Sequence, residues 1–367
     1  MSVRMTLIRL LERLLPLPTA SFHEGFVSSF IREELKGEGF DPQLDRYGNI
    51  MVRWGEEESQ VAWVAHMDHP GFEIIEASGN RVEAQWFGGV DPKYFMGAKV
   101  VIHGQFSGAV KAKGSVEKIS KNSQGRVDKM TLRVDGDVDE GDFGTWDLVP
   151  YRRRGELIYT KGADDLVGCA VMIAALNEIK QRGLKKGILC VFTRAEEIGF
   201  IGTLGVLENG CISPTTRMIS IETSKALPGV RLGSGPVIRL GDRTSMFHHQ
   251  MVLFMDHVAR EEQKKDRDFS YQRRVMDGGT CEATPFQLKG YMAGGMAIPL
   301  RNYHNQGGKV IAPEGVHLRD VEGSVRLLVQ TLRRIDEFEA PVDEIRRRWD
   351  GAWQKYHGRL QRRDKVS

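Results

Sequence analysis

Hydrophobic positions along the chain follow two rhythms. Leu7, Leu10, Leu11 and Leu14 recur at helical spacing, so the N-terminal segment predicts an amphipathic helix with one face on a core. Arg9, Glu12 and Arg13 interrupt that stretch and no small-residue cleavage site follows, which argues against a targeting peptide. Three short apolar runs, VAWVAH (61–66), GILCVF (187–192) and RMISIE (217–222), are bounded by polar residues or glycine and predict buried strands. Residues 164–180 place Val167, Val171, Ala174 and Ala175 on one helical face, and 320–336 do the same with Val321, Val325, Leu328 and Leu332. Strands alternating with helices of this length predict an α/β fold, a mostly parallel sheet with helices on both faces.

Residues 71–157 break the rhythm. KVVIHGQFSGAVKAKG (99–114) and KMTLRVDGDVDEGDFG (129–144) alternate over short stretches punctuated by glycine, with no helical period. That texture predicts a small β-barrel or sandwich inserted into the α/β core. The expected organisation is a discontinuous α/β domain from 1–70 and 158–340, a β-rich insertion at 71–157, and a basic helical tail at 341–367. In the tail Arg346, Arg347, Arg348, Arg362 and Arg363 accompany Trp349 and Trp353, as in an amphipathic helix packed on the body or on another subunit.

Composition narrows the classes. With 41% hydrophobic and 28% charged residues among 367, the chain can bury a full core. A net charge of +3, left by 52 basic and 49 acidic residues, gives no global field to draw nucleic acid or anionic lipid. No apolar run reaches the length of a membrane span, so neither nucleic acid nor membrane is an expected partner. Cys169, Cys190, Cys211 and Cys281 form no CxxC pair, and so few in so long a chain suit a reduced, cytoplasmic setting.

The candidate chemistry gathers at the ends of the predicted strands. In AHMDHPG (65–71), His66 and Asp68 alternate on an extended backbone, the arrangement in which a carboxylate orients a metal-ligating imidazole. GADDLVGC (162–169) puts two acidic residues at a helix start, where dipole matching alone would favour them. In TRAEEIG (193–199), Glu196 and Glu197 end a hydrophobic strand, where two like charges beside a core repel and cost desolvation. Glu222 ends RMISIE, and His304 lies in PLRNYHN. Singly, His66, Glu222 and His304 each read as an ordinary hydrogen-bonded residue, whereas the Glu196–Glu197 pair is harder to dismiss. Together they offer imidazoles and carboxylates without thiolate, a donor set suited to Zn²⁺, Co²⁺ or Mn²⁺. So many groups fit two cations sharing a carboxylate better than one, with a further glutamate left free to move a proton. Gly278-Gly279 lacks the surroundings of a phosphate loop and reads as a tight turn bringing Thr280 near the site. His248 and His249 lie in a helical segment with Met251, Phe254 and Met255 and read as a packed or surface helix, and His103 has no acidic partner at ligand spacing.

The order and spacing of AHMDHPGFEI, GADDLVGCA, TRAEEIGFIG, the IET segment, GGTCEA and PLRNYH resemble the M42 family of dinuclear metallo-aminopeptidases, within the clan that includes M28 and M20 enzymes. The resemblance implies roles. His66 and Glu222 would hold one cation, His304 and Glu197 the other, and Asp164 would bridge them. Glu196 would be the general base and Asp68 the group that orients His66. It also implies two divalent ions, zinc foremost, a homo-oligomer, and a peptide substrate cut at its N terminus. An M20-like deacylase acting on N-acyl amino acids or other small amides is the alternative. Four positions depart from the family pattern: His69-Pro70 for Glu-Ile, Glu222 for Asp, NQGGK after His304, and Cys281 for Asp.

Overall fold

A computed structural model describes residues 2–360; Arg362 and Arg363 of the tail lie outside the described residues. At its centre is an eight-stranded mixed sheet. Four neighbouring strands, Ile188–Thr193, Val61–His66, Arg217–Lys225 and Ala293–Leu300, run parallel. On one side the sheet continues into antiparallel Ile50–Trp54 and Gln43–Leu44. On the other, Val237–Asp242 pairs antiparallel with Ala293–Leu300 and parallel with Gln272–Met276. Every residue of Val61–His66 and Ile188–Thr193 is buried, as expected of strands covered on both faces.

Side-chain alternation divides the core. Trp63 and Ala65 join Phe192 and Ile219 on one face, under the helices Val3–Leu14, Gly25–Gly37, Leu166–Gln181, His249–Lys265 and Leu318–Arg333. Ala62, Val64, Leu189 and Val191 face the other side, under Ile201–Asn209 and Ala283–Leu288. The four leucines of the first helix are all fully buried, each worth about 1.5–3 kcal/mol of transfer free energy. Leu166–Gln181 is buried nearly all round rather than on one face. It runs between the sheet, the first helix and Leu318–Arg333.

The predicted β texture forms a closed six-stranded barrel whose strands lie between Gly71 and Trp146. Trp86, Phe95 and Trp146 pack against one another inside it. Arg152–Arg154, within the 71–157 span, pairs with Leu157–Thr160 and through it with Glu314–His317, outside the barrel. The chain leaves the sheet at His66 and enters the barrel at Gly71, so the first candidate motif lies at the junction. Among the described residues, no helix is long and apolar enough to cross a membrane.

Candidate metal centre

Half of the cluster stands on strands, although Glu222, expected at a strand's end, lies inside one that runs on to Lys225. His66 closes Val61–His66, directly across the parallel register from Thr193, and Glu222 lies within Arg217–Lys225. The fully buried His66 ring has Nδ1 3.2 Å from the Asp68 carbonyl oxygen and 3.3 Å from Asp68 Oδ1. That nitrogen therefore donates, leaving Nε2 to face the cluster. From Nε2 it is 3.5 Å to Glu222 Oε1, 3.6 Å to Asp164 Oδ1 and 3.9 Å to Glu196 Oε2. Asp68 does more than face His66. Its Oδ1 accepts the Glu196 amide at 2.9 Å, and its Oδ2 accepts the Glu197 amide at 3.2 Å and Ser21 Oγ at 2.6 Å.

The other half stands on loops. After Ala293–Leu300 the chain turns through Asn302, His304 and Asn305, with φ of 57°, 52° and 60°. This left-handed backbone is one that asparagine tolerates better than most residues. Asn302 Nδ2 donates to Pro313 O at 2.8 Å, and Asn305 Nδ2 donates to Lys161 O at 2.8 Å. His304 Nδ1 donates to Gly89 O at 2.7 Å, so its Nε2 faces Glu197 Oε1 at 3.2 Å and Asp164 Oδ2 at 3.4 Å. Ala195, at φ 48°, starts the turn that carries Glu196 and Glu197. Buried Glu24 holds that turn, accepting Ala195 N at 2.9 Å and Arg194 Nε at 2.8 Å.

Asp164 joins the halves, one oxygen toward each histidine. The Asp164–Asp165 peptide is cis. Neither carboxylate caps the following helix; Asp165 Oδ1 instead accepts Thr223 Oγ1 at 2.8 Å. Behind Asp164, Glu314 Oε2 accepts the amides of Ala163 at 2.6 Å and Asp164 at 3.2 Å. His69 Nδ1 donates to Asp164 O at 2.5 Å, and its Nε2 lies 3.1 Å from Asn305 Oδ1. A Cβ at Gly162 would stand 3.1 Å from the His69 ring, so any larger residue would make the ring shift. The reading of the sequence noted His69 only as a departure and did not single out Asn305, Glu314 or Glu24. These contacts span 95 to 236 residues, so no local period announces them.

The cluster lacks a charge that would satisfy it. His66 Nε2, Asp164 Oδ1, Glu197 Oε1 and Glu222 Oε2 are buried with no hydrogen-bond partner among the described residues, and each such atom costs roughly 1–3 kcal/mol. Three combinations could hold an ion: His66–Asp164–Glu222, Asp164–Glu197–His304 and His66–Glu196–Glu197. Burial first, then Asp164, pushes Glu222 up to about 8, against the pull of His66. Burial also drives Glu196 well above the usual carboxylate range, with Glu222, Glu197 and Asp68 adding to it and His66 opposing. Burial works against the charged forms of His66 and His304, yet the carboxylates hold both well above the ordinary value. Orphaned imidazole and carboxylate atoms at this spacing fit divalent cations.

Beside Glu222 a small cleft is lined by Lys225, Arg239, Thr280 and Tyr303. Thr280 thus lies near the cluster, at the turn expected there. Arg239 is buried; its Nη1 donates to Ser224 Oγ at 3.1 Å and its Nε has no partner. His248 and His249 stack on each other, ring centroids 5.0 Å apart, and His103 Nδ1 donates to Gly108 O.

The fold is of the α/β type, and its cluster of imidazoles and carboxylates could hold metal ions. The chain belongs to the M42 family, matching the M42 glutamyl aminopeptidase description over residues 48–327, and is a hydrolase of peptide bonds. It is similar to a protein of Acetivibrio thermocellus whose aminopeptidase name is itself provisional, 25% identical over 342 residues, 88% of this chain and 97% of that one. In fold it is similar to aminopeptidase APDkam598 of Desulfurococcus kamchatkensis, with TM-score 0.75 and 24% identity over 90% of this chain and 95% of that one. It is also similar to the Pyrococcus horikoshii TET1 peptidase, which assembles into a tetrahedron or an octahedral shell. There the TM-score is 0.74 and the identity 21%, over 89% of this chain and 99% of that one.

Proposed function

We propose that the protein is a metal-dependent aminopeptidase that releases N-terminal residues from peptides with two divalent cations, zinc foremost. His66 and Glu222 would hold one, Glu197 and His304 the other, and Asp164 both. The observation that carries this reading is the placement of Asp164, with Oδ1 3.6 Å from His66 Nε2 and Oδ2 3.4 Å from His304 Nε2. When bound, such ions polarise a peptide carbonyl and ease deprotonation of water. Glu196 takes the proton from the attacking water and returns it to the amine nitrogen as the C–N bond breaks. Its raised affinity for a proton suits that two-way role, and its side chain, 9% exposed, is more open than that of His66 or Asp164. Asp68 keeps His66 in the tautomer that presents Nε2 and fixes the Glu196 amide.

Arg239, buried beside Glu222 and in no salt bridge among the described residues, adds a positive charge at the cleft that favours an acidic first residue. A homo-oligomer in a reduced cytoplasmic setting completes the reading. Its support is the assemblies formed by fold neighbours and the four free cysteines. The test is a panel of aminoacyl-anilides and N-acyl amino acids, assayed before and after chelation and after Zn²⁺ or Co²⁺ is restored. Metal-dependent release from free-amine substrates supports aminopeptidase action. Turnover confined to N-acyl amino acids would replace it with deacylase chemistry.

A further inference from the structure

The C-terminal helix Ala340–Leu360 is not explained by catalysis or by the fold. It lies beyond the matched family region, and only Pro341 in it is buried. Its root is anchored: Phe338 packs on Phe254, and Gln250 Nε2 donates to Glu339 Oε2 at 2.9 Å. Past Ile345 the 21-residue helix leaves the body; at 1.5 Å per residue it is about 31 Å long. Trp349, Trp353, Tyr356 and Leu360 are 63%, 58%, 48% and 80% exposed. With Val342 and Ile345 they form one stripe at spacings of three and four residues. A solvated helix of this length is marginal by itself, and two exposed tryptophans on one face make it an unfinished interface.

We propose that this helix is a self-association arm, paired antiparallel with the same helix of a second copy of the chain. The stripe is symmetric about residue 351. Turned end for end, Trp349 meets Trp353 of the second copy, and Val342 meets Leu360. The area suffices: six aromatic side chains at roughly 150 Å² each, with the aliphatic ones, approach the ~1,200 Å² of a small specific interface. The polar face carries Arg346, Arg347, Arg348, Lys355 and Arg359 but also Asp343, Glu344 and Asp350, a mixture unsuited to tracking a phosphate backbone. The arm goes beyond the catalytic reading, on which only the folding control of its test rests.

The test compares the full chain with W349S/W353S by sedimentation velocity and light scattering, with aminopeptidase turnover as a folding control. The expected result is at least a twofold fall in assembled mass at unchanged turnover. As a second readout, A352C in a C211S background should give a disulfide-linked dimer under mild oxidation. Unchanged mass together with no cross-link would overturn the proposal. So would an unchanged mass with loss of binding to phosphatidylserine vesicles, which would assign the stripe to a lipid surface.

Discussion

The two halves of the cluster are built in different ways. His66 and Glu222 are fixed by strand register, inside a sheet whose hydrogen bonds would have to break before either could move. His304 and Glu197 hang from left-handed turns secured by side-chain amides and one carboxylate. Asp164 spans the two, and Glu314 and His69 hold its backbone from behind. A register-built half is set once the sheet folds, whereas a loop-built half depends on a few polar contacts. The loop half should therefore yield first to mutation.

Glu196→Gln should cause the largest change, a loss of ~10²–10⁴ in kcat with metal content unchanged in both halves. If the variant also loses an ion, Glu196 is a ligand in the His66–Glu196–Glu197 combination, and the division into halves fails. Asn305→Gly keeps the left-handed backbone accessible but removes the amide that ties the loop to Lys161 and His69. It should weaken one ion ~10–100-fold, as loss of a supporting contact commonly does, and leave the other nearly untouched in a calorimetric titration. Equal weakening of both ions would erase the contrast.

Acid should work the other way round. Glu222 is pushed up to about 8, so below that pH it holds a proton that a cation must displace. The metal-free form gains as pH falls, and affinity should drop about tenfold per pH unit for each proton displaced. Both histidines are raised, so both ions feel this, but Glu222 belongs to the sheet half. Its ion should be the first lost between pH 8 and 6, read by metal retention after dialysis at each pH. The smallest effect is expected from Arg239→Met. It should lower kcat/KM for substrates with acidic first residues by roughly tenfold, the worth of one charge-assisted hydrogen bond, while neutral ones change little. A uniform loss across the panel would instead make Arg239 a support for Glu222.

The same division explains what could be read from the sequence. Apolar runs marked Val61–His66, Ile188–Thr193 and Arg217–Lys225; His66 at the end of the first and Glu196 and Glu197 just past the second followed directly, whereas the third strand continues to Lys225, three residues beyond Glu222. Ala293–Leu300, equally central, was invisible to hydrophobic pattern because it contains Gly294, Gly295 and Pro299. The glycines make room: a Cβ at 294 would lie 3.1 Å from Met251 Cβ, and one at 295 would lie 2.7 Å from the Phe247 ring. His304, on the turn four residues past that strand, was a candidate with no strand signal of its own and took a role only through motif order. The helix after Asp164 was placed but its burial understated, because a periodicity shows one apolar face and not the neighbours on the others. His69, Asn305 and Glu314 act through contacts between distant segments, which no window of sequence displays.

Counting ions per chain tests the central claim most directly. Metal analysis on the wild type, His66→Ala and His304→Ala, each reconstituted with Zn²⁺ and dialysed, should give two ions, then one, then one. The ion left in each variant should belong to the opposite half. A single ion in the wild type, or loss of all metal from both variants, would contradict a cluster made of two separately built halves sharing Asp164.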